Sequence, residues 1–170
     1  MEIDELIRSR RTHKAYDPAP VPRETLEELF ELARWAPNHH LTNPWRFRVL
    51  GPRALDALKE AAGPESARKL DRAPTLVAAS VVRNRKDPVA DEEDFAAAAC
   101  ASYIVLLGAH ARGLGGYWRS PAVLRTREGR KACGIPKGER VLGLLHLGRP
   151  KGGKPAPERA PTETIRSYLD

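Results

Sequence analysis

Arg10, Arg11, Thr12, His13 and Lys14 follow one another shortly before Tyr16, placing three cations around one hydroxyl within a single turn's reach. A phosphate dianion is held by that mixture: guanidinium forks make bidentate contacts, a hydroxyl donates a further hydrogen bond, and a Lys adds a compact point charge. The same run would also form a solvated face in a basic protein, so the cluster alone leaves both readings open.

Other residues with chemical potential are harder to assign. Gly113, Leu114, Gly115 and Gly116 suggest a dinucleotide fingerprint, but they follow a helix instead of a strand, and Trp118 stands where the third glycine belongs. A Rossmann turn is therefore disfavoured. A helix terminus in the left-handed region followed by a tight turn is the simpler reading, with close approach to a flat ligand as the alternative. His39 and His40 are neighbours whose rings normally diverge, and no Asp, Glu or Cys lies nearby at ligand spacing, so no metal site is expected. Ser120 lacks the glycines of a nucleophile elbow, and Pro121 follows it; the pair reads as a helix cap with Pro at the first helical position. Cys133, near a helix end, reads as structural. His146, inside an apolar strand, reads as a buried, hydrogen-bonded histidine. What remains is three loops rich in donors, cations and Trp, with no acid–base pair, triad or metal cage. An enzyme so equipped leaves the chemistry to a cofactor, and no side chain is given a catalytic role.

A single domain over residues 1–170 must hold these loops, and a chain of 170 residues hides roughly two-thirds of its unfolded surface without staples. Lys and Arg number 29 against 22 Asp and Glu, a net charge of +7. That favours an anionic ligand, with nucleotide cofactor, nucleic acid and acidic membrane surface all open. Cys100 and Cys133 are far apart and form no CxxC, which argues against a disulfide framework or zinc site and fits a cytoplasmic home. Met1 leads straight into Glu2, Asp4 and Glu5, without the basic and apolar regions of a secretory signal. The apolar stretch 95–111 is interrupted by Ser102, Gly108 and His110 and falls short of a membrane span. A helix apolar nearly all round is buried, either at a domain's centre or against a partner subunit.

The periodicity predicts a short helix carrying Ile3, Leu6 and Ile7, an extended link through Pro18, Pro20 and Pro22, and a helix over 23–35 that ends before Pro37. A polar loop from Ala36 to Trp45 delivers a strand over 46–50; a short helix near 54–62 and a Gly/Pro break lead to a central strand over 75–82. A long helix over 90–112, a brief strand at 117–119, a helix from Ser120 to about Cys133, a strand over 140–147 and a Pro/Lys/Gly-rich tail complete the chain. Helix dominates and the sheet is small, so the expected class is α+β, with helices packed around a mixed or antiparallel sheet.

The order of these motifs resembles the nitroreductase family of FMN-dependent oxidoreductases, in its small single-domain branch. The family's Arg-x-Ser/Thr-x-Lys/Arg-x-Phe/Tyr is matched by Arg10, Thr12, Lys14 and Tyr16, and its Ala-Pro loop before Gln-Pro-Trp by Ala36, Pro37 and then Asn43, Pro44 and Trp45. Gly113, Leu114 and Gly115 match its Gly-Leu-Gly; Trp118, Arg119 and Ser120 its Trp-Arg-Ser; Gly148 and Pro150 its Gly-x-Pro; and Arg159 and Pro161 its late Arg-x-Pro. The likeness runs in register over residues 3–165. Two positions depart: Asn43 replaces the usual Gln, and Leu41 stands where many members carry Asn.

The resemblance implies a nitroreductase-like homodimer with two FMN molecules at the subunit interface, the long helix central to it and the tail 150–170 packed on the partner. It implies that Arg10, Arg11, Thr12 and Lys14 hold the phosphate, ribityl and pyrimidine edge of FMN, with Arg159 as a further phosphate contact. Trp35 and His39 would border the flavin from the partner chain, Asn43 would stand in the family's Gln position, and Trp118, Arg119 and Ser120 would line the ring and ribityl. The implied activity is ping-pong transfer of hydride from NADH or NADPH through flavin N5 to a small-molecule acceptor such as a nitroaromatic or quinone. A flavin-binding protein without NAD(P)H turnover is the alternative that Leu41 and Asn43 keep open. A nucleic-acid-binding module is set aside, because the basic residues are spread along the chain and form no recognised binding motif.

Overall fold

The computed structural model describes residues 2–169. In chain order the elements are α1 (Ile3–Ser9), α2 (Arg23–Ala33), β1 (Trp45–Val49), α3 (Pro52–Ala67), β2 (Thr75–Val82), α4 (Pro88–Ala111), β3 (Gly115–Arg119), α5 (Arg127–Ala132) and β4 (Glu139–Gly148). Short 3-10 turns occupy His39–Leu41, Ala122–Arg125 and Thr162–Thr164. The strands form one antiparallel sheet in the order β1-β2-β4-β3, with Trp45 opposite Val81, Val77 opposite Leu145 and Tyr117 opposite His146.

β2 reads as a continuous apolar run because both faces of the sheet are covered. Val77, Leu145 and Leu147 pack with Leu26, Leu29, Ala33, Ala101 and Val105 of α2 and α4, while Leu76, Ala78 and Leu144 pack with Leu58, Leu124, Cys133 and Ile135 on the other side. The result is a sheet between two helical layers, the α+β class expected. Inside it lies an ionic stitch that periodicity does not reveal. The Arg48 guanidinium of β1 donates to both Glu139 carboxylate oxygens at 2.8 Å and to Ser80 Oγ at 2.8 Å, tying three strands together. Burial alone would raise the Glu139 pKa, but the bonds from Arg48 and Ser80 and the Arg48 charge outweigh it and hold the carboxyl below its ordinary range.

α4 opens on Asp87, whose side chain accepts from the Val89 and Ala90 amides, with Pro88 at the first turn. It has the length and composition to cross a membrane, yet half of that apolar window is buried within the chain, the setting of a core helix. Two boundaries differ from the sequence reading by more than two residues. α3 continues past Ala62 to Ala67, because Gly63 at φ +73° bends the path and Pro64 restarts it. The helix expected to begin at Ser120 begins only at Arg127, and Thr126 caps it by accepting from the Gly129 amide. Pro121 instead leads into the 3-10 turn Ala122–Arg125, which separates the Ser-Pro pair from the helix. Beyond β4 the segment 151–169 is exposed throughout.

Candidate functional site

The Arg10 to Tyr16 segment is laid against the outer edge of β3. A parallel bridge joins Thr12 to Gly116, an antiparallel one joins Tyr16 to Pro150, and Tyr16 Oη donates to His13 O at 2.7 Å. A side chain would be crowded in the β3 strand here: a Cβ on Gly115 would stand 3.0 Å from the His13 ring, and one on Gly116 would stand 2.6 Å from Leu106. The Cβ positions of these two glycines face the protein's own side chains. Gly113, at φ +72°, is the left-handed helix terminus expected.

This anchoring brings Arg10, Arg11, Thr12 and Arg159 around one cavity of about 240 Å³, together with Lys154, Pro155 and Pro157 from the tail. An adjoining cavity of about 420 Å³ adds Ile7 and Tyr103. Arg10 Nε is buried with no hydrogen-bond partner among the described residues, and its guanidinium lies 5.8 Å from the Tyr103 ring centroid. The Arg11 fork is partly spent on the chain itself, donating to Arg10 O at 2.9 Å and to Pro155 O at 3.2 Å, which holds the tail against the cluster. Lys14 is exposed and lies outside the lining of both cavities; the lysine that lines the smaller one is Lys154. Sequence reading missed Lys154 because it lies over 140 residues from Arg10 in a tail without periodicity. Nearby, Ser9 Oγ and His110 Nε2 pair at 2.8 Å.

A second candidate region lies on the loop between α2 and β1. His40, Leu41 and Asn43 take φ values of 55°, 50° and 47°, the left-handed region that non-glycine residues rarely occupy. The rings of His39 and His40 stack at 3.9 Å between centroids instead of diverging, and His39 Nδ1 pairs with Glu93 Oε2 at 2.8 Å. A carboxylate therefore does stand beside His39, supplied by α4 from 54 residues away. Among the described residues no group of three or more His, Cys, Asp or Glu is arranged to hold a metal ion. Trp35 and Leu41 are three-quarters exposed at 75% and 76%. Asn43 is exposed, and its side chain donates to Leu41 O at 2.7 Å. Asn tolerates positive φ better than Gln, which gives the departure from the family pattern a local physical reason.

The third region is more committed to the fold than its sequence suggested. The Trp118 indole donates to Leu142 O at 3.1 Å, and a Cβ on Gly143 would lie 2.4 Å from that indole nitrogen. Arg119 donates to Lys69 O at 3.3 Å, and Ser120 is exposed. Cys133 is buried, and burial pushes its thiol up to about 11, so it stays protonated at neutral pH. His146 is fully buried as expected but not hydrogen-bonded: both ring nitrogens lack a partner among the described residues. Burial, followed by the charges of Arg119 and Arg72, lowers its pKa to about 4.

Among the described residues, neither the loop 38–43 nor Trp118, Arg119 and Ser120 lines either cavity of the cradle. Tyr103 at the cradle and Glu93 at the loop are both on α4, ten residues apart, and a helix rises ~1.5 Å per residue, so ~15 Å separates them. A cationic cradle thus stands toward one end of the central helix and a strained, apolar-tipped loop toward the other, on an α+β scaffold. A family model, the nitroreductase family, matches residues 7–149. The chain belongs to the nitroreductase family. It is 32% identical over 165 residues to the Escherichia coli K12 protein named "Putative NAD(P)H nitroreductase YdjA", covering 88% of each chain. Among solved structures it superposes on a nitroreductase-like family protein from Bacillus cereus with TM-score 0.89 at 23% identity, covering 100% of this chain and 97% of the other. An Exiguobacterium sibiricum protein described as "a putative nitroreductase in complex with FMN" shares the fold with TM-score 0.85 at 16% identity, covering 99% of this chain and 98% of the other.

Proposed function

We propose that the protein is a homodimeric, FMN-dependent NAD(P)H oxidoreductase of cytoplasmic setting that reduces small nitroaromatic or quinone acceptors. The observation that carries this reading is the buried, unpartnered Arg10 Nε beside a cavity lined by Arg11, Thr12, Lys154 and Arg159. A buried donor without an acceptor is costly. A phosphate monoester would satisfy it and neutralise the surrounding cations, each charge-assisted bond contributing about 1.5–3 kcal/mol. The FMN complex of the Exiguobacterium protein, of the same fold, favours FMN as the source of that phosphate.

When bound, FMN supplies the redox chemistry, accepting hydride from the nicotinamide and passing electrons to the acceptor. The residues of this chain bind, orient and exclude water. Arg10, Arg11, Lys154 and Arg159 would clamp the phosphate, with Thr12 as a hydroxyl donor. Trp118 and Arg119, held by their bonds to Leu142 and Lys69, would offer a preorganised wall, with Ser120 beside them. Trp35, His39, Leu41 and Asn43 would form the opposite wall from the second subunit. The ~15 Å division along α4 supports that split, because the loop of one chain does not reach its own cradle. Ala96, Cys100 and Tyr103 form an exposed stripe on α4, and the tail exposes Ile165, Tyr168 and Leu169 at 81%, 84% and 92%. Such apolar surface calls for a covering partner, and a second copy would bring loop and cradle together.

The test is direct. Purified protein shows the flavin absorption band, and anaerobic NADH or NADPH bleaches it; a colourless protein that stays so after incubation with FMN ends the proposal. A yellow protein that neither nucleotide bleaches is instead a flavin binder. Arg10→Ala raises the FMN dissociation constant at least tenfold, ~1.4 kcal/mol, in a fluorescence titration, and unchanged affinity refutes the phosphate clamp.

A further inference from the structure

We propose that Asp94 is a positioning residue: its buried carboxylate on α4 holds the loop 38–43 in its left-handed path and so sets where His39 and Leu41 meet the substrate. The second half of that statement rests on the function proposed above; the first does not.

The loop does not pay for its own shape. Three non-glycine residues at φ 55°, 50° and 47° occupy a backbone region that side chains disfavour, and Leu41 at the tip recovers little by burial, being 76% exposed. Its internal bonds are good: Asn38 Oδ1 accepts from the Asn43 amide at 2.7 Å, Asn38 Nδ2 donates to Thr42 Oγ1 at 3.0 Å, and Asn43 Nδ2 donates to Leu41 O at 2.7 Å. These bonds move with the loop and cannot place it on the framework. Three ties reach outward apart from Asp94. Val82 N donates to Pro44 O at 2.8 Å, beyond the strained residues. Arg46 donates to Asn43 O at 2.7 Å and Glu93 pairs with His39 at 2.8 Å, both exposed to solvent. Asp94 differs in being 7% exposed on a helix embedded in the core. Its Oδ1 accepts from Thr42 Oγ1 and, at 3.5 Å, from Asn38 Nδ2, the two side chains on which the internal network turns.

A buried carboxylate whose partners are the loop's own polar groups couples the two strongly, since loss of either side leaves a buried group unpaired. The experiment compares wild type, Asp94→Ala, Asp94→Asn, Thr42→Val and the Asp94→Ala/Thr42→Val double variant as purified full-length proteins. Hydrogen exchange is read on the segment 38–43, and steady-state kinetics use NADH or NADPH with 4-nitrobenzoate. In Asp94→Ala and in Thr42→Val, exchange across 38–43 accelerates at least tenfold while β2 and the buried part of α4 keep their protection, and the double variant adds nothing further. KM rises at least fivefold with kcat within threefold. Asp94→Asn, which keeps an accepting oxygen, stays within threefold of wild type in both readouts. Unchanged exchange in both single variants overturns the clamp whether or not the protein turns over. Accelerated exchange with unchanged KM overturns the link to substrate placement, and a uniform loss of protection across the whole chain shows Asp94 to be a stability residue only. Should wild type lack flavin turnover, the exchange result still decides the clamp, so failure of the functional proposal is told apart from failure of this one.

Discussion

Trp118 shows how a residue legible as part of a motif acquires a second duty in three dimensions. Its match to the family's Trp-Arg-Ser makes it a candidate site residue, but nothing in the local sequence says that its indole donates to Leu142 O at 3.1 Å or lies where a Gly143 side chain would stand. Trp118→Ala is therefore expected to cost about 3 kcal/mol of stability, read as a lower urea midpoint of the apoprotein, beyond any change in flavin fluorescence. A midpoint within error of wild type would show that the ring is free to serve a ligand alone. Asn43 is the converse case. Its departure from the family's Gln is visible in the sequence, while its reason, a positive φ and a bond to Leu41 O, belongs to the folded loop.

At the scale of elements, apolar periodicity places strands and helices well wherever burial on one or both faces is extensive. β2 begins and ends where the Val- and Ala-rich run does, and α4, expected over 90–112, spans Pro88–Ala111. The failure lies between β3 and α5, where two hydroxyl residues compete as helix caps. Ser120-Pro121 has the better local signature, but the 3-10 turn Ala122–Arg125 tucks Val123 and Leu124 into the core before the helix begins, and Thr126 makes the cap. Thr126→Ala is expected to lose about 1 kcal/mol and Ser120→Ala less than about 0.5 kcal/mol, measured by denaturant titration of the apoprotein. The reverse ranking would restore Ser120 as the cap. The Arg48, Ser80 and Glu139 stitch was illegible for a related reason: its members lie in three strands, and no local spacing joins them.

Across the whole molecule, two clefts each gather several of the 29 Lys and Arg residues. One set lines the cradle, while Arg83, Arg125, Arg130, Lys137 and Arg140 line a cleft of about 320 Å³ at the far end of β2 and the start of β4. Several of the second set are already engaged: Arg83 pairs with Asp91 at 3.2 Å, Arg130 donates to Glu139 O at 2.9 Å, and Arg140 stacks 3.8 Å over the Phe95 ring. Acid should weaken the fold as a whole. The folded pKa of His146 is lowered to about 4 from 6.5, so between those values the unfolded chain binds a proton that the folded chain refuses. Stability then falls as pH drops from 6.5 towards 4, by about 3 kcal/mol in full. Glu139, whose folded pKa is also depressed, extends the loss to lower pH. His146→Leu should remove most of the slope in that window, leaving the part due to His13 and His110, whose pKa values burial also lowers. An unchanged slope would locate the acid sensitivity elsewhere. Assembly is tested on the exposed stripe of α4: Ala96→Arg should yield a folded monomer by sedimentation that no longer retains FMN, whereas a persisting dimer would move the interface off that stripe.

By itself the sequence determined the alternation of elements, the depth of β2 and α4, and the residue types able to hold a phosphate, because periodic burial and charge are local properties that a single chain displays in order. Tertiary structure alone decided that Lys154 lines the cavity beside Arg10, that Glu93 and Asp94 bond to a loop some fifty residues earlier, and that both His146 ring nitrogens are buried without a hydrogen-bond partner among the described residues. Each of those facts depends on which distant segments the packed sheet and central helix bring within hydrogen-bond reach. Chain order does not encode that distance.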